Sequence, residues 1–435
     1  MKIKNKITLL VAVFALQTGS LYAQSTDSTA VQAAAYFREA ERAGAAQKIW
    51  PLKLYGPMMF VDGRTRTAWA NMPDSAGVLK ADGEVYQGVL PNSVIIANTS
   101  VKWNGREWSM ILWPLPADHD ERLNLVMHES FHRIQEQLKL PQHSPTADHL
   151  DTREGRIYLL LELQALKSAL NKPLDERKKD LQAALIFRKK RQLLFPATFD
   201  KEVILEANEG IAEYTGVILG RKMSSINSYL QSVIGYTANK KSLIRSAPYT
   251  TGPVYGYLFY NVDTAWTLKI DSNVNFASLT EKYYHVKINN ADIDAQVNTL
   301  SPKYNGAEIT ASENSKFAEH EKLAKQYTDL FTQKPVLLIS LINMHVGFNP
   351  SNLFDLGKYG TVYPTMTIND NWGDLTVTSG AGALMKDWQI VYLAVKKDIA
   401  PTNNTIEGDG WKLTLANGWK ISPDGTNYKL VKAGN

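Results

Sequence analysis

Two histidines four residues apart, with a glutamate beside the first, are the residues of this chain best suited to hold a metal ion. They form the sequence His128-Glu129-Ser130-Phe131-His132, which reads H-E-x-x-H. On a helix, residues four apart share one face, so both imidazoles can bind one zinc ion while Glu129 acts as a base on metal-activated water. The surrounding sequence predicts that helix, because apolar residues recur every three or four positions before Pro141: Leu123, Val126, Met127, Phe131, Ile134 and Leu138.

A catalytic zinc site usually has three protein ligands and one open position, so a third ligand is required. The best candidate is Glu209, in the segment Asn208-Glu209-Gly210-Ile211-Ala212-Glu213-Tyr214. Glu213 lies four residues further on and shares its side of the predicted helix, where it can bond the free nitrogen of a ligand histidine and fix its tautomer. Glu154, which is nearer in sequence to His132, is a rival third ligand, and Glu162 is a weaker one.

The motifs H-E-S-F-H and N-E-G-I-A-E-Y together resemble those of the gluzincin metallopeptidases, in which a glutamate from a second helix completes the zinc site. The form N-E-G-x-A is similar to the alanyl aminopeptidase branch, and N-E-x-x-x-(acid) to the thermolysin-like pattern. The resemblance covers about positions 94 to 260. It implies that Glu209 is the third ligand, and that the helical segment between His132 and Glu209 is an insertion between the two metal-binding helices.

A second segment of the chain also resembles this family. Ala247-Pro248-Tyr249-Thr250-Thr251-Gly252 is similar to the P-Y-x-x-G segment of the aminopeptidase-type gluzincins, whose tyrosine donates to the oxyanion of the tetrahedral intermediate. The resemblance therefore implies a catalytic role for Tyr249, and Tyr255 and Arg245 are further candidates for substrate contact. The G-x-M-E-N strand of those aminopeptidases is missing between Asn104 and Leu112. The comparison thus favours zinc hydrolysis without specifying aminopeptidase activity.

The rest of the chain predicts an α+β fold with a zincin-like catalytic domain at residues 50–334. A helical segment at 24–49 precedes this domain. The first part of the domain, 50–115, is predicted to be a small antiparallel sheet. Asp62-Gly63 and Asn104-Gly105 are hairpin signals within that sheet. Residues 118–334 are predicted to be mainly helical. The proposed helices there are 154–170, 174–194, 200–219, 223–234, 254–267 and 313–331.

The helical part contains a run of basic residues, and the C-terminal part contains strand patterns. The basic run Arg188-Lys189-Lys190-Arg191 is predicted to be a solvated helix face. Residues 335–435 have strand patterns separated by Gly, Asn and Asp, which predicts a β-rich domain. An alternative function follows from it: a non-catalytic exported binding protein, which is a degenerate peptidase with a β domain that binds a glycan or a protein. The tryptophans that could stack on a glycan are Trp372, Trp388, Trp411 and Trp419.

The N-terminus has the pattern of a secretory signal peptide, residues 1–23. Lys2, Lys4 and Lys6 precede an apolar run from Ile7 to Leu16, and Leu21-Tyr22-Ala23 approximates a cleavage site. Removal of three lysines lowers the formal charge from +5 to +2, so no nucleic-acid-binding surface is expected. The chain has no cysteine, which excludes thiol catalysis and cysteine ligands. No later segment is long and apolar enough for stable membrane insertion.

Together these patterns predict a periplasmic or extracellular zinc metallopeptidase that acts on peptide or protein substrates. His128, His132 and Glu209 would hold zinc, Glu129 and Tyr249 would be catalytic, and Glu213 would orient a ligand. The edge of the predicted sheet could pair with an extended peptide.

Overall fold

A computed structural model describes residues 29–349, 352–378, 380–395, 399 and 402–433. The predicted signal peptide lies outside these residues. The chain divides into two compact units between Ala311 and Ser312, whereas the sequence had placed the domain boundary after residue 334. The α+β class is confirmed: mainly helical structure is followed by a β-rich region. Among the described residues, no helix combines the length and the apolar character needed to cross a membrane.

The first unit begins with helix α1 at residues 29–46, continues into a six-stranded sheet and ends in helices. Its strands are β1 (Met58–Asp62), β2 (Thr67–Ala70), β3 (Lys80–Asp82), β4 (Val85–Val89), β5 (Thr99–Trp103) and β6 (Arg106–Trp113). Its helices are α2 (His119–Gln135), α3 (Arg153–Leu170), α4 (Lys178–Leu194), α5 (Phe199–Leu205), α6 (Ile211–Gly220), α7 (Met223–Ala238), α8 (Pro248–Tyr260), α9 (Phe276–Tyr284) and α10 (Ile293–Leu300). A π-helical turn, Glu206–Gly210, joins α5 to α6, and α11 (Gly306–Thr332) crosses the division between the units.

The sheet has the strand order β3-β4-β2-β1-β6-β5, which leaves β5 at one edge. Both hairpin signals are confirmed, since β1 pairs antiparallel with β2 and β5 pairs antiparallel with β6. The prediction of an entirely antiparallel sheet is wrong, because β1 and β6 are parallel. A hairpin turn is a local signal, whereas β1 and β6 are separated by four other strands in sequence and no turn specifies their pairing.

Helix α2 lies between the sheet and the other helices, so it is buried on two sides. Asp118 caps its N-terminus by accepting a hydrogen bond from the backbone of Glu121. Val126 and Met127 pack with α1 and the sheet, whereas Phe131 and Ile134 belong to the core formed by the helices. The predicted helical periodicity therefore reflects packing of α2 against two separate groups of buried residues.

Glycines set how closely the helices around α2 approach. A β-carbon on Gly216 of α6 would lie 2.5 Å from the carbonyl oxygen of Asn124 in α2. One on Gly252 of α8 would lie 2.2 Å from the Cα atom of Gly210 in the π-helical turn. At separations this short, a side chain at either position would force the neighbouring backbone to shift. The two glycines thus allow α2 and α8 to lie directly against the helix that carries Glu209.

The basic run in α4 is buried in part, which contradicts the predicted solvated face. Arg188 donates to Glu162 and Glu206, and Arg191 donates to Glu162 and Glu202. Arg188 and Arg191 are three residues apart and therefore project from the same face of the helix, towards α3 and α5. The sequence could not show that this face of α4 is buried, because the carboxylates that neutralise the arginines come from other helices.

The second unit contains two sheets and most of α11. Leu337 and Val391 of the larger sheet share a core with Leu375 and Leu413 of the smaller one. Strands run in the order β17-β18-β7-β14-β13-β10-β9 in the larger sheet and β15-β16-β12-β11-β8 in the smaller. They are β7 (Val336–Ser340), β8 (His345–Phe348), β9 (Phe354–Asp355), β10 (Thr361–Tyr363), β11 (Met366–Asp370), β12 (Gly373–Val377), β13 (Ala383–Met385), β14 (Ile390–Ala394), β15 (Thr405–Gly408), β16 (Trp411–Leu415), β17 (Trp419–Asp424) and β18 (Asn427–Lys432).

Side-chain packing explains why this unit begins before the first of its strands. Tyr327 and Phe331 of α11 pack against buried residues of the larger sheet. Two of the tryptophans suggested for glycan stacking, Trp372 and Trp411, are buried in the core between the sheets. Trp388 is the exposed member of the four, with 40% of its surface accessible.

Candidate metal centre

The two histidines of α2 and the glutamate of the π-helical turn converge on one point. The Nε2 atoms of His128 and His132 are 3.1 Å apart. The Oε2 atom of Glu209 is 3.6 Å from the Nε2 atom of each histidine. Among the described residues, these three form the one group of histidine and acidic side chains that could hold a metal ion.

The separations between these three atoms fit tetrahedral coordination. Zinc binds imidazole nitrogen and carboxylate oxygen at about 2.0–2.2 Å, so neighbouring ligand atoms of a tetrahedral site lie roughly 3.3–3.6 Å apart. The observed values of 3.1 and 3.6 Å bracket that range closely. Two histidines and one glutamate are also a known ligand set of catalytic zinc sites. The residues present therefore fit a metal ion of this kind.

A carboxylate holds the outer nitrogen of His128. The Nδ1 atom of His128 is 3.0 Å from the Oε2 atom of Glu213, whose other oxygen accepts a hydrogen bond from Asn124. Because a carboxylate accepts hydrogen bonds, it keeps the proton on Nδ1 and leaves the Nε2 lone pair free for a metal. This is the geometry that the sequence predicted for Glu213.

His132 is held by a network that the sequence analysis did not identify. Its Nδ1 atom is 2.7 Å from the Oε1 atom of Gln135, and the Gln135 amide donates to Asn208 at 2.8 Å. Asn208 and Ser144 then both donate to the Oε1 atom of Glu209, at 3.1 and 2.8 Å. The signal available in the sequence was the position of Gln135, three residues after the second histidine on the same helix.

Glu129 is buried beside the metal ligands, and its Oε2 atom has no hydrogen-bond partner among the described residues. Burial raises the pKa of Glu129, and the nearby histidines oppose that shift. A buried carboxylate oxygen without a partner is costly. Glu129 is one of the residues that line the cleft described below.

Tyr249 lies over the ligands from the first turn of α8. Its hydroxyl donates to the Oε2 atom of Glu209 at 2.6 Å, and its ring stacks on that of His128 with centroids 5.6 Å apart. Burial, together with the charge of Glu209, raises the pKa of Tyr249. The predicted helix start at residue 254 is wrong, because α8 begins at Pro248, a residue favoured in the first helical turn. Tyr249 therefore lies within helix α8, not in the loop before it.

The charge states of His128, Glu209 and Glu213 influence one another. Burial by itself would lower the pKa of His128, but Glu209 and Glu213 raise it to about 10. Burial would raise the pKa of Glu209, but the two histidines and the hydroxyl of Tyr249 hold it well below its usual range. The site thus favours an ionised carboxylate beside the imidazoles, which is the state in which Glu209 can bind a cation.

The rival third ligands lie in other environments. Glu154 is exposed and pairs with the neighbouring Arg153. Glu162 is fully buried and binds the two arginines of α4. Tyr255 is also buried, where it donates to Glu162 at 2.7 Å, and Arg245 is exposed outside the lining of the cleft. Tyr255 is therefore shielded by burial, and Arg245 lies apart from the residues that line the cleft.

The candidate metal centre opens into a cleft of about 980 Å³. Its lining includes the three ligand residues, Glu129, Tyr249 and one side of edge strand β5. The edge strand β5 runs along the cleft. Its outer edge carries backbone N–H and C=O groups that β6 does not pair.

Comparison of the chain with protein-family models, with curated proteins and with solved structures finds no significant match.

Proposed function

We propose that this chain is an exported zinc-dependent metallopeptidase of the gluzincin type. The observation that carries the proposal is the convergence of His128, His132 and Glu209, each from the motif in which the resemblance places a zinc ligand. A zinc ion held by these residues would act as a Lewis acid on the scissile carbonyl and on the attacking water.

Glu129 is the proposed general base. It is adjacent to His128, buried, and has an oxygen free to accept a hydrogen bond. Its raised pKa makes its carboxylate a stronger base than that of an exposed glutamate, so it can take a proton from the attacking water and deliver it to the leaving amine. Tyr249 would donate to the oxyanion once its hydroxyl leaves Glu209, and this contact would stabilise charge present only during the reaction.

A peptide is the proposed substrate because of the strand that borders the cleft. Edge strand β5 can add an extended peptide through backbone hydrogen bonds, which would lay the peptide along the metal centre. The sequence pattern at residues 1–23 supports export to the periplasm or the medium.

The proposal predicts separate effects for the base and the ligand. Purified protein should contain about one zinc per chain by elemental analysis. Glu129→Gln should retain the metal but lose peptide hydrolysis by at least about a hundredfold, since a general base contributes that much or more. Glu209→Gln should lose the metal.

Glu154→Gln is the matched control, because Glu154 is an exposed glutamate outside the group. It should retain both the metal and the activity. A chain that binds no divalent metal, or a fully active Glu129→Gln variant, would show that the proposed function is wrong.

A further inference from the structure

The lining of the cleft has an excess of negative charge. It carries six carboxylates and one lysine among the described residues. A bound divalent ion would offset only two of these charges. The carboxylates are those of Glu107, Glu121, Glu129, Glu136, Glu209 and Glu213.

Most of these carboxylates already have a partner or a role in the metal centre. Glu121 pairs with Arg221, and Glu136 pairs with Lys102 at 2.6 Å. Glu129, Glu209 and Glu213 surround the two histidines. Glu107 is the remaining one, and none of the described basic residues forms an ion pair with it.

Glu107 is placed on the side of the sheet that faces α2. Residues alternate between the two faces of a strand, so Glu107 shares its face with Ile111, which packs with α2. Its cross-strand partner is Lys102 on edge strand β5, and its Oε1 atom accepts a hydrogen bond from Ser100 at 3.0 Å. The carboxylate is half-buried and lines the cleft beside the strand along which the substrate is proposed to lie.

The charged groups near Glu107 leave it without a full counter-charge. Lys102 lies across the strand pair from Glu107 but is bonded to Glu136, so one ammonium serves two carboxylates. Arg133 contributes only at longer range, because its guanidinium donates to the backbone carbonyls of Lys53 and Leu54. A cation from the substrate would therefore find a carboxylate that is partly desolvated and not already neutralised.

We infer that the cleft selects peptides with a basic side chain, and that Glu107 is the carboxylate that binds it. This inference rests on the proposed peptidase function. The unpaired oxygen of buried Glu129 is an independent sign that the same cleft receives a ligand. Charge complementarity of this kind chiefly determines which substrate is accepted, while the metal centre carries out the reaction.

The test compares hydrolysis of matched fluorogenic peptides by the full chain. Each peptide has an alanine background and a Lys, Gln or Glu at one position, scanned on both sides of the scissile bond. For at least one position, kcat/KM for the Lys peptide should exceed that for the Gln peptide by about three- to tenfold, as expected for one partly exposed ion pair. The preference should shrink when ionic strength rises from about 0.05 M to about 0.5 M.

Glu107→Gln should lower kcat/KM for the Lys peptide towards the value for the Gln peptide, so that most of this preference is lost. Glu84→Gln is the charge-matched control, because Glu84 is exposed in the same unit and pairs with Arg38 outside the cleft. It should retain the preference. Equal rates for Lys and Gln peptides at every position, or a preference unchanged in Glu107→Gln, would overturn the inference.

A failure of the proposed function would look different, because no peptide would be hydrolysed at all. Fluorescence anisotropy can measure how tightly the same peptides bind to the Glu129→Gln chain. This measurement repeats the charge comparison without turnover. Tighter binding of the Lys peptides supports the inference, and equal binding of all three sets contradicts it.

Discussion

At the scale of single residues, the two histidines of the candidate metal centre are oriented by different kinds of acceptor. Glu213 is charged and holds Nδ1 of His128, whereas the neutral amide oxygen of Gln135 holds Nδ1 of His132. Both acceptors leave Nε2 free, but the carboxylate makes its histidine the stronger donor. Gln135 has a second role, because its amide group also reaches Asn208, next to the third ligand. The two halves of the centre are therefore linked through one glutamine.

This arrangement predicts that Gln135→Ala weakens metal binding. The substitution removes the acceptor that fixes the His132 tautomer and the donor that holds Asn208. Loss of such a partner typically costs about ten- to a hundredfold in metal affinity. Competition with a chromophoric chelator measures this, and Gln142→Ala, a glutamine that lines the same cleft, should have the affinity of the unaltered chain. Equal affinities for the two variants would mean that Gln135 does not orient the ligand.

The sequence predicted the three side chains that converge better than it predicted their surroundings. His128 and His132 form a local pattern on one helix, and Glu209 was distinguished from Glu154 by its flanking residues alone. Gln135, Asn208 and Ser144 were missed, because their contacts join a helix, a turn and a loop that are distant in sequence. Side-chain type and spacing predict which atoms can bind a metal, but only the fold shows which neutral groups hold them.

At the scale of elements, the decisive feature is the π-helical turn between α5 and α6. The sequence predicted one regular helix over residues 200–219, whereas the structure inserts Glu206–Gly210 as a π-helical turn. Glu206 contacts Arg188 of α4, while Asn208 and Glu209 contact α2. π-helical turns are frequent at functional sites. Helices α9 and α10 were also missed, because they are short and cover few turns of periodicity.

The close approach of α6 to α2 predicts that Gly216→Ala disturbs the metal centre. The new methyl group would meet the backbone of Asn124 and push apart the helices that carry His128 and Glu209. The free energy of unfolding should fall by about 1–3 kcal/mol, as for overpacked sites, and zinc affinity should fall as well. Urea unfolding and metal titration measure the two effects.

Gly235→Ala is the control for this substitution. Gly235 lies within α7, and a β-carbon there would have nothing within 4 Å. That variant should be unchanged or up to about 1 kcal/mol more stable, since alanine favours helix more than glycine. A Gly216→Ala chain with normal stability and affinity would show that helix separation does not determine the site.

At the scale of the whole molecule, each compact unit has its own core, and the first also contains a buried network of charges. Glu162, Glu202 and Glu206 surround Arg188 and Arg191, and His149 lies 2.6 Å from Glu202. The network joins α3, α4 and α5 behind the turn that carries Glu209. No local pattern predicted it, because pairing of charges over such distances depends on the tertiary fold. Loss of one partner from a buried ion pair of this kind strongly destabilises a protein, because the other charge stays buried without a counter-charge.

The network makes stability depend on pH in a defined range. Burial would raise the pKa of Glu202, but Arg191 and His149 lower it from 4.5 to about 2. A carboxylate with a lowered pKa stabilises the folded state fully above its unfolded pKa, and this contribution is lost as pH falls towards the folded value. Between pH 4.5 and 2, Glu202 should therefore account for about 3 kcal/mol of lost unfolding free energy.

Urea unfolding of the metal-free chain from about pH 6 to about pH 2 measures this dependence, and Glu202→Gln isolates the contribution of one carboxylate. The glutamine variant should be less stable near neutral pH, because Arg191 loses a charged partner, but its stability should fall less steeply with acid. The two curves should therefore converge as the carboxylate of the unaltered chain becomes protonated. Parallel curves would mean that Glu202 has the same pKa in the folded and unfolded chains, and that the buried ion pair does not couple protonation to folding.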